Sequence, residues 1–167
     1  ANISSPNTKN LRDLQGETLL RQLLSALHQA RIALSDQYGV RKPLFLKIAP
    51  DLQANDFKFI ADLLLEFEID AVIATNTTIS RVDVATLPHG SEAGGLSGSP
   101  VLNLSNQAIH HLFQSLQNRV PIIGVGGIQS DNDVRQKIDA GASLVQLYTG
   151  LIYKGPQLIR DCVRAFN

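Results

Sequence analysis

A single cysteine, Cys162, leaves no partner for an internal disulfide and no thiolate cluster for zinc or iron–sulfur. Four histidines, His28, His89, His110 and His111, stand at no recognisable metal spacing, so no metal site is expected. The formal net charge is zero, which removes any general electrostatic attraction to nucleic acid or to an anionic membrane. No apolar run approaches the roughly 18 residues a membrane span requires, and the first residues carry no basic, apolar signal pattern. These absences point to a soluble domain of a reducing compartment. What is present fits that: 44% hydrophobic against 18% charged residues argues against disorder, and 167 residues suffice for one ordinary domain with a substantial core.

Two kinds of segment alternate. Short apolar, β-branched runs at residues 43–48, 70–75, 121–125 and 143–147 read as strands buried on both faces, because their apolar residues are nearly continuous. Residues 1–3 read as a further strand stub. Between them lie stretches with helical spacing. Leu19, Leu20, Leu23, Leu24, Leu27 and Ile32 form one stripe. Phe57, Ile60, Ala61, Leu64 and Leu65 form a second, opened by Asp51 or Asn55 as a cap. A third starts at about Ser105, with Ile109, Leu112, Phe113 and Leu116 on one face. A fourth carries Val134, Ile138 and Ala140, capped by Ser130 or Asp131 and closed by Gly141. Pro156 suits a first helical turn ahead of Leu158, Ile159, Cys162 and Val163.

Strand–helix alternation implies a parallel sheet with right-handed crossovers. A doubly wound, flavodoxin-like sheet would place a Gly-rich turn after the first strand, and none is there. Gly-rich turns follow the last two strands instead, where (β/α)₈ barrels commonly hold a phosphate. The reading is therefore a parallel (β/α)₈ barrel, of which four or five strands supply only part. Residues 77–103 form one long irregular stretch, the length of a functional loop or lid.

Polar residues gather where strands hand over to loops. Asn2-Ile3-Ser4-Ser5-Pro6-Asn7-Thr8 is a dense set of short donors and acceptors, which ordinary turn chemistry before a helix also explains. Lys47 ends an otherwise apolar strand, so it must be paired, snorkel outward or face a ligand. Ala74-Thr75-Asn76-Thr77-Thr78 repeats the arrangement one strand later, again as a plain turn or as a site for a planar hydrogen-bonding ligand. Gly94-Gly95-Leu96-Ser97-Gly98, Gly124-Val125-Gly126-Gly127-Ile128 and Tyr148-Thr149-Gly150 are more informative. Glycines let backbone N–H groups approach an anion, and two such turns on adjacent final strands favour a phosphate cradle. Arg119 and Lys154 could reach phosphate but suit solvent equally. His110 and His111 belong to a helix on the outside of the barrel. Tyr148 stacks on a ligand or plugs the barrel rim.

Taken in order, these motifs, with Leu46-Lys47-Ile48-Ala49-Pro50-Asp51-Leu52 and Ile73-Ala74-Thr75-Asn76-Thr77-Thr78 among them, resemble the C-terminal half of the class 2, quinone-linked dihydroorotate dehydrogenases. The resemblance covers essentially all 167 residues as one domain. It implies FMN-dependent oxidation of dihydroorotate to orotate in pyrimidine biosynthesis, with electrons passed to a membrane quinone. By the same match Ser5 is the catalytic base, and Asn2, Asn7, Asn76 and Thr77 hold the pyrimidine and its carboxylate. Asn2, Lys47 and Thr75 attend the flavin, and Gly98, Gly127, Tyr148 and Thr149 serve its ribityl phosphate. Ser5 takes the C5 proton while hydride leaves C6, helped by a relay through Thr8 and water. Lys47 places positive charge near flavin N1.

Full-length members carry an N-terminal half with the first strands and a small helical element that meets the membrane. The resemblance puts the whole enzyme at the cytoplasmic face of the inner membrane as a peripheral protein, and this segment carries no anchor. A folded, non-catalytic half-barrel that self-associates is the competing expectation. An unrelated phosphate-binding barrel enzyme is a third, opposed by the Asn-x-Ser-Ser-Pro-Asn string.

Overall fold

A computed structural model describes residues 1–166. Four strands, β1 (Phe45–Ile48), β2 (Ala71–Ala74), β3 (Ile122–Val125) and β4 (Leu144–Gln146), make one parallel sheet in the order β1-β2-β3-β4. The N-terminal segment lies along β1. Asn2 bridges Lys47 in parallel, the Ala1 amine donates to the Phe45 carbonyl at 2.7 Å, and the Lys47 N–H donates to the Ala1 carbonyl at 2.9 Å. The spatial order of strands thus follows the chain without reversal. A doubly wound sheet reverses at a switch point, whereas a barrel does not.

Among the described residues six α-helices accompany the sheet: α1 (Glu17–Tyr38), α2 (Ala54–Glu66), α3 (Leu102–Leu116), α4 (Asp131–Asp139), α5 (Thr149–Lys154) and α6 (Gln157–Arg164). The main core joins Leu46, Ile48, Val72, Ala74 and Ile122 of the sheet to Leu20, Leu24, Phe57, Ile60, Leu64, Ile109 and Leu112 of the helices. Each such side chain removed from water contributes about 1.5–3 kcal/mol. Ile128, Val134, Leu158 and Cys162 form a smaller cluster beneath α4 and α6.

The opposite sheet face has no such cover among the described residues. The register sets Lys47, Ile73, Ile123 and Leu144 in one row. Of this row Ile123 is buried, Lys47 and Ile73 are half-buried and Leu144 is 57% exposed, and Phe45, one step earlier on that face, is exposed. Strand β3 is thus buried on both faces as its composition predicts, whereas β1 and β2 are covered less on this face and β4 departs most, with Leu144 and Gln146 exposed. Composition reports the face a strand is built to bury, not whether its cover is at hand.

Helix details also differ from expectation. Leu20 and Leu24 are buried, but Leu19 and Ile32 of the expected stripe are exposed, because α1 meets the core along a narrow line. Neither Asp51 nor Asn55 caps α2. Gln53 does, in a capping box with Asp56, since Asp51 is engaged elsewhere. Ser130 caps α4 as expected. Helix α3 begins at Leu102, earlier than the apolar spacing places it, after a 3₁₀ turn at Ser99–Val101. The long connection is thereby shortened, and it is tied down. Thr78 and Leu96 form an antiparallel bridge, and Arg81 donates to the carbonyls of Glu92 and Gly94 at 2.9 and 2.6 Å.

At the N-terminal end of β2, Asp70 receives Arg31, Arg41 and the Leu44 N–H. Burial raises the Asp70 carboxyl, but the Leu44 N–H and the two guanidinium groups outweigh it and hold its pKa below the ordinary aspartate value.

Candidate active site

The C-terminal ends of the strands open into a cleft of about 470 Å³. Three segments build it: the end of β2 with Thr75, Asn76 and Thr77, the turn after β3 with Gly126 and Gly127, and the turn after β4 with Tyr148 and Thr149. Lys47 enters from β1, and Ser97 and Gly98 close it from the long loop. All the positions expected at the flavin except Asn2 therefore line one cavity, together with Asn76 and Thr77.

Gly127 shows why the turn after β3 needs its composition. Its φ is +79°, and a Cβ there would stand 2.6 Å from Leu102 Cα. A side chain is excluded by the start of α3, and the backbone itself faces the cleft. Opposite, the Thr149 hydroxyl meets the Ser97 hydroxyl at 3.0 Å, which joins the last turn to the long loop. Tyr148 is 77% exposed on the rim, so it does not plug the barrel among the described residues.

Lys47 is half-buried, and burial lowers its ammonium pKa from the ordinary value. Its side chain lines the cleft, and among the described residues it is in no ion pair. Thr75 is buried, and its hydroxyl donates to the Asn76 carbonyl at 2.9 Å. Its amide donates to Val125 at 2.9 Å, while the Asn76 amide donates to Ile48 at 2.8 Å, so the end of β2 is locked to both neighbours.

The residues expected at the substrate form a second group beside the cleft. Asn2 Oδ1 accepts from the Ser4 N–H at 3.2 Å, the Ser4 hydroxyl at 2.9 Å and Asn76 Nδ2 at 3.4 Å. Asn76 Nδ2 also donates to Ser4 Oγ at 3.2 Å, and its Oδ1 accepts the Thr77 N–H at 2.8 Å. Asn7 Oδ1 accepts the Gly95 N–H at 3.2 Å. A side chain on Gly95 would overlap Thr77 and meet Pro6 Cγ at 2.9 Å, so the loop after residue 3, the end of β2 and the long loop converge there. Ser5 is half-buried in that loop, and its Oγ accepts the Asn7 N–H at 3.2 Å. Asn2, Ser5 and Asn7 are not walls of the 470 Å³ cleft, whose substrate-side wall is made by Asn76 and Thr77. Thr8, expected to relay from Ser5 through water, lies in the same loop and offers its carbonyl to the Leu11 N–H at 3.2 Å.

Arg119 donates to the carbonyls of Leu116 and Ser115 at the end of α3, and Lys154 borders a separate surface cleft. Neither reaches the main cavity. His111 stacks on Phe57 with ring centroids 5.6 Å apart, and His110 is exposed, as expected of the outer helix. Sequence reasoning passed over Arg12, Gln146 and Lys137. Lys137 is fully buried behind the turn after β3, where its Nζ donates to Ser105 Oγ at 2.9 Å and Asn106 Oδ1 at 3.0 Å. Its place within a polar helix segment gave no signal, because its partners lie about thirty residues away.

The family model for dihydroorotate dehydrogenase matches residues 1–167. The chain is 66% identical over 166 residues to the dihydroorotate dehydrogenase (quinone) of Polynucleobacter asymbioticus, covering 99% of this chain and 48% of that one. The corresponding protein of Burkholderia multivorans is 59% identical over 164 residues, with 98% and 48% covered. Among solved structures, that of Eimeria tenella DHODH in complex with ferulenol superposes with a TM-score of 0.91 at 36% identity, covering 99% of this chain and 47% of that chain. The ligand-free form from the same organism gives 0.89 at 38% identity. The chain thus spans about half the length of the relatives it matches, and its sheet is about half of a parallel (β/α)₈ barrel. On a match that runs through all of its residues, the chain belongs to the dihydroorotate dehydrogenase family.

Proposed function

We propose that residues 1–167 are the C-terminal half of a single FMN-binding (β/α)₈ domain that oxidises dihydroorotate to orotate, with quinone as the final acceptor, in pyrimidine biosynthesis. The observation that carries this reading is the cleft at the strand ends, which gathers Lys47, Thr75, Gly98, Gly127, Tyr148 and Thr149 around one cavity. Its chemistry fits a flavin mononucleotide. The glycine-lined turns offer backbone donors to a phosphate, Thr149 adds a hydroxyl, and Lys47 brings a positive charge to the ring side. Asn2 reaches the same region through Asn76. Bound FMN would supply the acceptor for the hydride of dihydroorotate.

The chain's own residues supply the rest. Asn2, Asn7, Asn76 and Thr77 provide amide and hydroxyl groups that match the alternating donors and acceptors of a pyrimidine and its carboxylate. Ser5 Oγ takes the C5 proton as its own hydroxyl proton passes to water. A serine hydroxyl is a weak base near neutrality, and the Asn7 N–H on Ser5 Oγ stabilises the negative charge that the oxygen gains as its own proton leaves. Quinone reduction and a peripheral place at the cytoplasmic face of the inner membrane extend this reading to the whole enzyme. Among the described residues no helix is long and apolar enough to cross a membrane.

The test has two arms. FMN titrated into the 167-residue chain should lose fluorescence on binding. In a chain of the relatives' full length, Ser5→Ala should keep FMN while slowing flavin bleaching by dihydroorotate at least about 100-fold. Rapid bleaching by that variant would remove Ser5 from the role. A second reading, a self-associating half-barrel without activity, is favoured by the uncovered sheet face with Phe45 and Leu144 exposed. Failure of the 167-residue chain to bind FMN, together with a dimer in solution, would select it.

A further inference from the structure

Arg12 stands outside the cleft, yet it connects the three segments that surround the candidate base and substrate wall. It lies in the 3₁₀ turn Leu11–Gln15 and uses every nitrogen of its guanidinium. Nε donates to the Ser4 carbonyl at 3.1 Å, one terminal nitrogen to Asp51 Oδ2 at 2.8 Å, and the other to the Thr77 carbonyl at 2.9 Å. These acceptors are 8, 39 and 65 residues away in sequence. Asp51 is held in turn by the Thr78 hydroxyl and the Ile79 N–H. The Arg12 and Asp51 side chains are only 20% and 17% exposed, so the pair is shielded from the solvent screening that weakens surface ion pairs.

The choice of acceptors is informative. The Ser4 carbonyl belongs to the peptide unit that ends at Ser5 Cα, and that unit is planar. Holding its oxygen therefore fixes where the Ser5 side chain starts. The Thr77 carbonyl belongs to the segment whose Asn76 and Thr77 wall the cleft. Both carbonyls lie in irregular backbone beyond the strand ends, where the ladder offers them no partner. A guanidinium supplies donors in a rigid plane that meets all three acceptors at once, whereas a lysine ammonium is a point donor on a flexible stem. The charge is paired with Asp51 and all three guanidinium nitrogens already have acceptors within the chain, so Arg12 acts through the backbone it holds.

We infer that Arg12, braced by Asp51, is a positioning residue that sets Ser5 against the Asn76–Thr77 wall for proton abstraction from dihydroorotate. This rests on the reading of Ser5 as base. Its effect belongs to the rate of proton removal and not to cofactor affinity, because its contact with the cleft is the Thr77 carbonyl, on the substrate-side wall and outside the positions read as flavin contacts.

The test compares Arg12→Gln, Arg12→Lys and Asp51→Asn with the parent and with Ser5→Ala, in a chain of the relatives' full length that carries this segment. Arg12→Gln should retain FMN within about threefold in Kd, measured by flavin fluorescence, while stopped-flow flavin reduction slows about 100-fold, the cost of a misplacement near 1 Å. KM should move far less than kcat. Arg12→Lys should recover only part of the rate. The isotope effect from 5-deuterated dihydroorotate should rise relative to that from 6-deuterated substrate, a change that general loss of structure does not produce. Flavin reduction at the parent rate in Arg12→Gln overturns the inference. So does a parallel loss of FMN, rate and thermal stability in Arg12→Lys and Asp51→Asn with unchanged isotope effects. If Arg12→Gln does not fold, those two variants decide alone. Rapid bleaching by Ser5→Ala overturns the base assignment and the inference with it, whereas slow Ser5→Ala beside fast Arg12→Gln overturns the Arg12 role only.

Discussion

Two lysines, one half-buried and one fully buried, differ in how much the sequence reveals of them. Lys47 is conspicuous in sequence because a charge ends an apolar strand, and the structure places it in the lining of the cleft. Lys137 has no such signature, yet it is the more buried of the two. Burial pushes the Lys137 ammonium down to about 8, against the opposing pull of Asp133. In an unfolded chain a lysine titrates near 10.4. Between those values the unfolded state holds more protons than the folded one, so stability rises with pH. The melting temperature of the parent relative to Lys137→Met should therefore climb as pH goes from 8 to 10, read by thermal unfolding at each pH. A flat difference would show that Lys137 keeps an ordinary pKa. Arg12 was illegible for a related reason: each of its acceptors is reached through the fold, and a Ser4 or Thr77 carbonyl has no side-chain identity to read.

At the scale of elements, hydrophobic patterning located all four strands and the long helices, because the periods of buried positions are local properties. Ends were less legible. Asp51 looks like a cap for α2, but a carboxylate engaged by Arg12 and Thr78 is not free for that, and Gln53 takes the position. The glycine turn after β3 was legible as a turn, and its place in the lining of the cleft makes the proposed phosphate site testable. Gly127→Ala must accommodate a side chain at φ +79° against the backbone of Leu102. It should cost about 2 kcal/mol, seen in thermal unfolding, and weaken FMN binding at least about tenfold as the turn shifts. A variant with unchanged FMN affinity would remove this turn from the phosphate site.

For the molecule as a whole, the uncovered sheet face decides how the chain behaves by itself. Phe45 and Leu144 stand exposed on that face, and strand edges remain beside β4 and the N-terminal segment. Edges and apolar faces of this kind invite pairing. The isolated 167-residue chain should bind a hydrophobic dye and elute larger than a monomer, and a dye-silent monomer would show the face to be covered in another way. The amino-acid sequence by itself determined the alternation of strands and helices, the glycine turns and the order of motifs, since each depends on neighbours within a few residues. Only the tertiary structure decided that one sheet face lacks its cover, that Asn2, Ser4 and Asn76 share hydrogen bonds, and that Arg12 joins three strand ends. Those contacts span up to 74 residues, and no local period encodes them.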